Sequence, residues 1–501
     1  MEIREVAVVG LGTMGAGIAE VFGRAGMTVV GIEADPDALA RGVGILTASL
    51  SRAVSRGRLT EQEQADILRR IRPGSGFEAA AGADLAIEAV PERMELKRQV
   101  FAGLDRACRP DAILATNTSS LSVTAVAAGT AHPGRVVGMH FFNPAPVMRL
   151  VEVVTTVLTE APAGAAIAGL ARRLGKTPVQ AGDRAGFVAN ALLLPYLNHA
   201  VSLLAAGYAT REDIDTAAMA GIGLPMGPLA LLDLIGLDTA LSILEVLQAE
   251  FGGSRCIPAP LLRRLTEAGQ LGRKSGRGLY DYGEPAPDAA TLASIRNDKL
   301  PPAPRRVTLI SAGGAEDAAG ELAGAIAAAG ISVTRNAAEA SDLILICAPP
   351  TASVLPAALG TGRPDQAAGL WLTGDKLTEL VTTRLTSASA TAAATALAGR
   401  LGWQLVRSPD RPGFLTGALL YPHLADAVRM VQDCYAGAAD VDAAMTLGCG
   451  YPRGPMRILD DIGPEVALAA LRAMHEAYGD PAFAPPPLLA EHAAAGLPFS
   501  G

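Results

Sequence analysis

From Ile3 to Val9 the chain alternates and then runs apolar, as a strand buried on both faces does. Gly10-Leu-Gly12-Thr-Met14-Gly15 follows at once, and the apolar period then lengthens to that of a helix through Ala25. A second strand, Met27 to Glu33, ends on an acid about 20 residues further on. A glycine run of this kind says little alone. Set between a strand and a helix, with that acid, it points to a doubly wound α/β domain that binds a dinucleotide. Gly10, Gly12, Met14 and Gly15 form the expected cofactor-facing loop, where the backbone approaches a pyrophosphate and the helix N-terminus supplies amide donors. Glu33 is placed to bond a ribose 2′-hydroxyl and would repel a 2′-phosphate, so the cofactor expected is NAD.

At 501 residues the chain is too long for one core, and three or four domains are expected. A net charge of -8 argues against nucleic acid as a main partner, since phosphate binding needs a basic surface. Five scattered cysteines without a CxxC pair suggest a reducing compartment and no structural metal. MEIREVAVVG carries acids where a signal peptide would carry lysines, and no apolar run has transmembrane length, so no membrane association and a cytoplasmic location are expected.

Residues 36–70 read as two helices, with Arg52, Arg56 and Arg58 clustered near the end of the first. Such a cluster is either a solvated face or a contact for an anionic ligand. Asp84 to Val90 is a strand ending in Pro91-Glu92, with Lys97 in the helix that follows. Ala112 to Ala115 is another strand, leading into Asn117-Thr-Ser119-Ser120. That run either caps a helix near 122–129 or lines a ligand site, since it lies at the carboxyl end of a strand. Arg135 to Phe142 carries His140, and after Asn143-Pro144 a returning strand carries Glu152 among apolar neighbours. A buried carboxylate needs a partner, and His140 is the obvious one. Such a pair fixes the imidazole tautomer and stabilises its protonated form. Lys176 to Ala181 closes the sheet, and residues 183–284 carry helical periodicity, beginning with Asp183-Arg-Ala-Gly-Phe187-Val-Ala-Asn190.

The stretch GMHFFNPAPVMRLVEV (138–153), with NTSSL before it and GFxxN after it, resembles the L-3-hydroxyacyl-CoA dehydrogenase family. The resemblance implies NAD-dependent, reversible oxidation of an L-3-hydroxyacyl-CoA to the 3-oxoacyl-CoA, with His140 and Glu152 as the general-base pair. It further implies that Ser119 and Asn190 bond the reacting oxygen, and that Glu92, Lys97 and Asn117 border the nicotinamide half of NAD. Arg52 and Arg56 would meet the nucleotide end of coenzyme A, and a helical second domain would follow the first. A dehydrogenase of the same fold acting on a free polyol or hydroxy acid, of the L-gulonate type, stays open beside it, as does a regulator that binds nucleotide without turnover.

Asp183-Arg-Ala-Gly-Phe187 recurs as Asp410-Arg-Pro-Gly-Phe414, a shift of 227 positions (410 less 183). The same shift maps Leu150-Val-Glu152 on Leu377-Thr-Glu379, Asp215 on Asp442 and Asp233 on Asp460. The second occurrence has a broken glycine run, no acid ending its second strand, no histidine between 307 and 405, and Gly417 in place of Asn190. The expected fold is therefore α/β plus all-α: a Rossmann-type domain (1–182), a helical domain (183–284), a linker (285–304), and the pair repeated in degenerate form (305–409 and 410–501). The helical domains of the resembled family pair with each other. An intramolecular pseudo-dimer is expected on that basis, with a homodimer as a further option.

Overall fold

The computed structural model describes residues 2–283, 302–336, 341–373 and 377–500. The expected linker at 285–304 lies, but for its last residues, outside the described residues. The chain divides into two compact units that are not contiguous in sequence: 1–191 with 433–454, and 192–432 with 455–501. The division therefore does not follow the boundaries drawn from sequence. A segment of the second half belongs to the first unit.

The first unit is built on eight strands: β1 (Glu5–Val9), β2 (Thr28–Glu33), β3 (Ile71–Ser75), β4 (Leu85–Glu88), β5 (Ile113–Thr116), β6 (Val136–Phe141), β7 (Leu150–Thr155) and β8 (Thr177–Gly182). Their order is β3-β2-β1-β4-β5-β6-β7-β8. All neighbours are parallel except β6 and β7, which run antiparallel with His140 opposite Glu152. This is a Rossmann-like sheet. Val6, Val8, Ile87 and Leu114 are fully buried, because helices cover both faces and the strands therefore read as continuous apolar runs. The two helices expected over 36–70 are Pro36–Ser55 and Glu61–Arg70. Asp35 and Pro36 start the first, and a capping box of Thr60 with Glu63 starts the second. Among the described residues no helix is long and apolar enough to cross a membrane.

The second unit holds a six-stranded sheet: β9 (Arg306–Ser311), β10 (Ser332–Arg335), β11 (Leu343–Cys347), β12 (Ala367–Thr373), β13 (Leu377–Thr382) and β14 (Gln404–Pro409), in the order β10-β9-β11-β12-β13-β14. Again one hairpin, β12–β13, is antiparallel and every other pair is parallel. β11 alone bridges β9 and β12, where β4 and β5 together stand between β1 and β6. The helical part of this unit hangs on buried acids. Asp215 accepts from the amides of Leu229 and Ala230 and from the Tyr280 hydroxyl; Asp233 accepts from the amides of Leu279 and Tyr280 and from the Tyr282 hydroxyl.

His423 is buried and His199 partly buried in this unit, and burial, aided by the charge of Arg255, pushes both imidazoles down to about 3 from 6.5. The unfolded chain takes up protons that the folded one refuses, so their stabilisation is complete above pH 6.5 and is lost as pH falls toward 3. Burial raises Asp215 to about 6 and lifts Glu379 as well, and both act with the opposite sign, while Glu92 and Asp105, held below the usual carboxylate range by their partners, act with the two imidazoles. The unfolding temperature is thus expected to fall steadily from pH 7 to pH 4.5. A flat profile in that window would contradict the two buried neutral histidines.

Candidate active site

The glycine loop is shaped by three different demands. Gly10 has φ +89°, and a Cβ there would lie 2.9 Å from the Ala89 carbonyl oxygen. A Cβ on Gly15 would sit 1.7 Å from the Gly10 oxygen, so the helix closes on the loop only with glycine. A Cβ on Gly12 would meet nothing within 4 Å. Gly12 thus faces open space at the start of helix Thr13–Arg24, whose first turn has no capping side chain and no acid. An anionic pyrophosphate fits that place, because unpaired amides and the helix dipole both favour it. Met14, expected in the cofactor loop, packs against the first core. Glu33 ends β2 as expected, and its carboxylate accepts from the amides of Leu11 and Ala34, which ties it to the same loop.

At the carboxyl ends of β4 and β5 three charges meet. Lys97 is buried and donates to Glu88 at 2.8 Å, and its ammonium lies 3.2 Å from Glu92. Glu88 also accepts from the Thr116 hydroxyl at 2.7 Å. Glu88, which the sequence reading did not single out, stands at the fully buried end of β4, where an acid demands a cation. Glu92 collects the amides of Ser119 and Ser120 and the hydroxyls of Thr118 and Ser120. Burial opposes its ionisation, but the Lys97 charge and these donors hold it below the usual carboxylate range. The NTSS run therefore wraps an acid. It does not cap a helix: the cap of Val123–Ala127 is Ser122, reinforced by Asp183, which accepts from the amides of Val123 and Thr124. Asn117 accepts from the Phe141 amide at 2.8 Å and so locks the end of β5 to the strand carrying His140.

His140 Nδ1 stands 2.7 Å from Glu152 Oε2, and both residues are buried. The other oxygen, Oε1, accepts from the amides of Val188 (3.0 Å) and Ala189 (2.9 Å), at the start of helix Ala189–Ala205. An ionised carboxylate has no hydrogen to give, so in a neutral ring Nδ1 would carry the hydrogen and Nε2 would keep its lone pair. The rings of Phe142 and Phe187 lie 4.6 and 5.7 Å from the imidazole and keep it in an apolar setting. Asn190 falls one residue after Ala189 and is partly buried, as is Ser119. The arginines at 52, 56 and 58 are exposed, and among the described residues no bond or ion pair joins them to the groups around His140.

In the second unit Glu379 repeats half of this arrangement. It is buried and accepts from the amides of Leu415 and Thr416, 227 positions beyond Val188 and Ala189. Opposite it on β12, where β6 presents His140, stands Trp371. Among the described residues one strand, β11, takes the place of β4 and β5, and the loop after it repeats the Ser122–Asp183 contacts as Ser353–Asp410 but carries Pro350 where the first loop carries Ser119.

Residues 5–184 match the family model described as 3-hydroxyacyl-CoA dehydrogenase, NAD binding domain. Residues 186–282 and 413–498 match the C-terminal domain of the same family. The chain is 35% identical over 499 residues to 3-hydroxyadipyl-CoA dehydrogenase of Escherichia coli, covering 98% of each. It is 46% identical over 284 residues to a probable 3-hydroxybutyryl-CoA dehydrogenase of Bacillus subtilis, covering 57% of this chain and 99% of that one. A crystal structure of 3-hydroxybutyryl-CoA dehydrogenase from Escherichia coli superposes with a TM-score of 0.84 at 32% identity, covering 99% of both chains. A glycine loop open only at its middle glycine and a buried imidazole–carboxylate pair agree with these likenesses, and the chain belongs to the NAD-dependent 3-hydroxyacyl-CoA dehydrogenase family.

Proposed function

We propose that the first unit oxidises an L-3-hydroxyacyl-CoA to the 3-oxoacyl-CoA, reversibly, with His140 as general base. The observation that carries this reading is the 2.7 Å contact of Nδ1 with a carboxylate whose other oxygen is already taken by two amides. Nε2 accepts the hydroxyl proton, and Glu152 stabilises the imidazolium that forms. Ser119 and Asn190 donate to the substrate oxygen as it becomes a carbonyl. Glu92, Lys97 and Asn117 border the nicotinamide, and the arginines at 52 and 56 meet the phosphates of coenzyme A. NAD, held at Gly10–Gly15, supplies the hydride acceptor. Acetoacetyl-CoA with NADH, run beside L-gulonate with NAD, tests the reading. Turnover of the thioester at least tenfold above the polyol is expected, and the reverse ranking would replace the CoA reading with a polyol one.

Glu33 supports NAD over NADP in two ways, by its own charge and by its hold on Leu11. Glu33→Gln is therefore expected to narrow the ratio of NADP to NAD dissociation constants about tenfold or more, within the range of one charged hydrogen bond. An unchanged ratio would remove the assigned role.

Residues 305–501 are read as a copy that has lost its chemistry. The 227-position shift, the shared antiparallel hairpin and the retained glutamate at a helix start support this. Glu379 persists because those buried amides need an acceptor whether or not a histidine is opposite.

A further inference from the structure

The segment 433–454 comes from the second half of the chain, yet it is part of the first unit. Three contacts seat it there. The Tyr435 hydroxyl donates to the Gly182 carbonyl at 3.0 Å, and the Arg184 guanidinium lies 5.1 Å from the Tyr435 ring centre. Helix Ala438–Gly448 lies on β7 and β8, and Asp440 takes the Gln180 amide at the rim of that sheet. The helix ends at Gly448, where a Cβ would be 2.5 Å from Leu150 Cδ2 and 3.2 Å from Phe142 Cε1. Gly448 has no positive φ, so its backbone accepts other residues and space alone calls for glycine. Cys449 follows; burial, and behind it the Glu152 charge, push its thiol well above the usual range and keep it neutral.

The second unit repeats the arginine–tyrosine stacking and the close fit of the glycine with the halves exchanged, while its tyrosine bonds a different carbonyl. Tyr208 donates to the Phe414 carbonyl at 2.8 Å, and Arg411 lies 5.6 Å from the Tyr208 ring centre. A Cβ on Gly221 would be 2.9 Å from Leu377 and from Thr416. Arg184 and Arg411, Tyr208 and Tyr435, Gly221 and Gly448, and Leu150 and Leu377 are each 227 positions apart. Each half lends the same segment to the sheet of the other. In the second unit that segment covers Glu379, which has no histidine opposite. In the first it reaches the side chains beside His140.

We propose that the Gly448–Cys449 turn, contributed by the second half, is a positioning element of the catalytic site in the first half. Gly448 lets the helix end close on Leu150 and Phe142, and Phe142, 4.6 Å from the imidazole, holds the His140 ring at its working angle. Gly448 touches neither substrate nor cofactor and acts through Phe142. The inference rests on the proposed role of His140, and it makes the chemically silent half one wall of the working site.

The test compares Gly448→Val with Gly221→Val in the full-length chain. Both add the same bulk at related places, so both are expected to lower the unfolding temperature. Only Gly448→Val should lower kcat with acetoacetyl-CoA, by about 10- to 100-fold for a small misplacement of the base. Its NAD dissociation constant should stay within twofold of wild type, and Leu150→Ala in the Gly448→Val background should return part of kcat. Should Gly448→Val not fold, Gly448→Ala, one methyl group larger than wild type, is expected to show the same split at smaller size. Wild-type kcat in the Gly448 variant that folds, or an equal loss in both valine variants, would overturn the inference. Normal turnover in His140→Ala would instead remove the reading on which it rests, so the two failures are distinguishable.

Discussion

His140→Ala is expected to lower turnover of 3-hydroxyacyl-CoA about 10²- to 10⁴-fold, the usual share of a positioned general base, with NAD affinity unchanged. The separation follows from the fold. His140 sits on β6, whereas the glycine loop joins β1 to its helix and is built from Gly10 closing on Ala89 and Gly15 closing on Gly10. Truncating the imidazole leaves that loop intact. It leaves Glu152 with two of its three donors, the amides of Val188 and Ala189, so the variant should still fold. Steady-state kinetics beside a titration of NAD separate the two effects. A rate within threefold of wild type would assign the proton transfer to another group.

Glu152→Gln is the sharper experiment, because it keeps the shape and changes the tautomer. The glutamine carbonyl can still accept from the amides of Val188 and Ala189, so the start of helix Ala189–Ala205 keeps its cap. Its amide nitrogen then faces Nδ1 and donates. The imidazole hydrogen must move to Nε2, which in the proposed reaction takes the substrate's proton and could then no longer accept it. A loss of about 10³- to 10⁴-fold in kcat is expected, with a small change in unfolding temperature. Glu152→Ala should differ in kind. It leaves two buried amides without an acceptor, each worth about 1–3 kcal/mol, and so should destabilise the fold as well as the chemistry. Equal unfolding temperatures for the two variants would contradict the capping role.

Much of this site is written in local sequence. The glycine loop, Glu33 at a strand end, and an acid returning beside His140 are short-range patterns that need no tertiary knowledge. β3 is not legible in this way: Pro73 and Gly74 argue against a strand, and only its place at the sheet edge makes them tolerable. Glu88 is hidden inside an apolar strand, and its meaning depends on Lys97 folding back over it. The NTSS run illustrates a competition between donors. Ser122 and Asp183 satisfy the helix start, which frees Ser119 and Ser120 to bind Glu92. The repeat shift could be read from aligned residues. That each half lends its segment to the other sheet could not, because a swapped and an unswapped contact between related halves have the same sequence.

Nitrogen-15 spectra of histidine-labelled protein at pH 7 test the central claim most directly, since six histidines give few signals and the two ring nitrogens shift apart by tautomer. The structure predicts one imidazole with hydrogen on Nδ1 and a bare Nε2, absent in His140→Ala and inverted in Glu152→Gln. A bare Nδ1 on His140 in the wild-type chain would contradict the account.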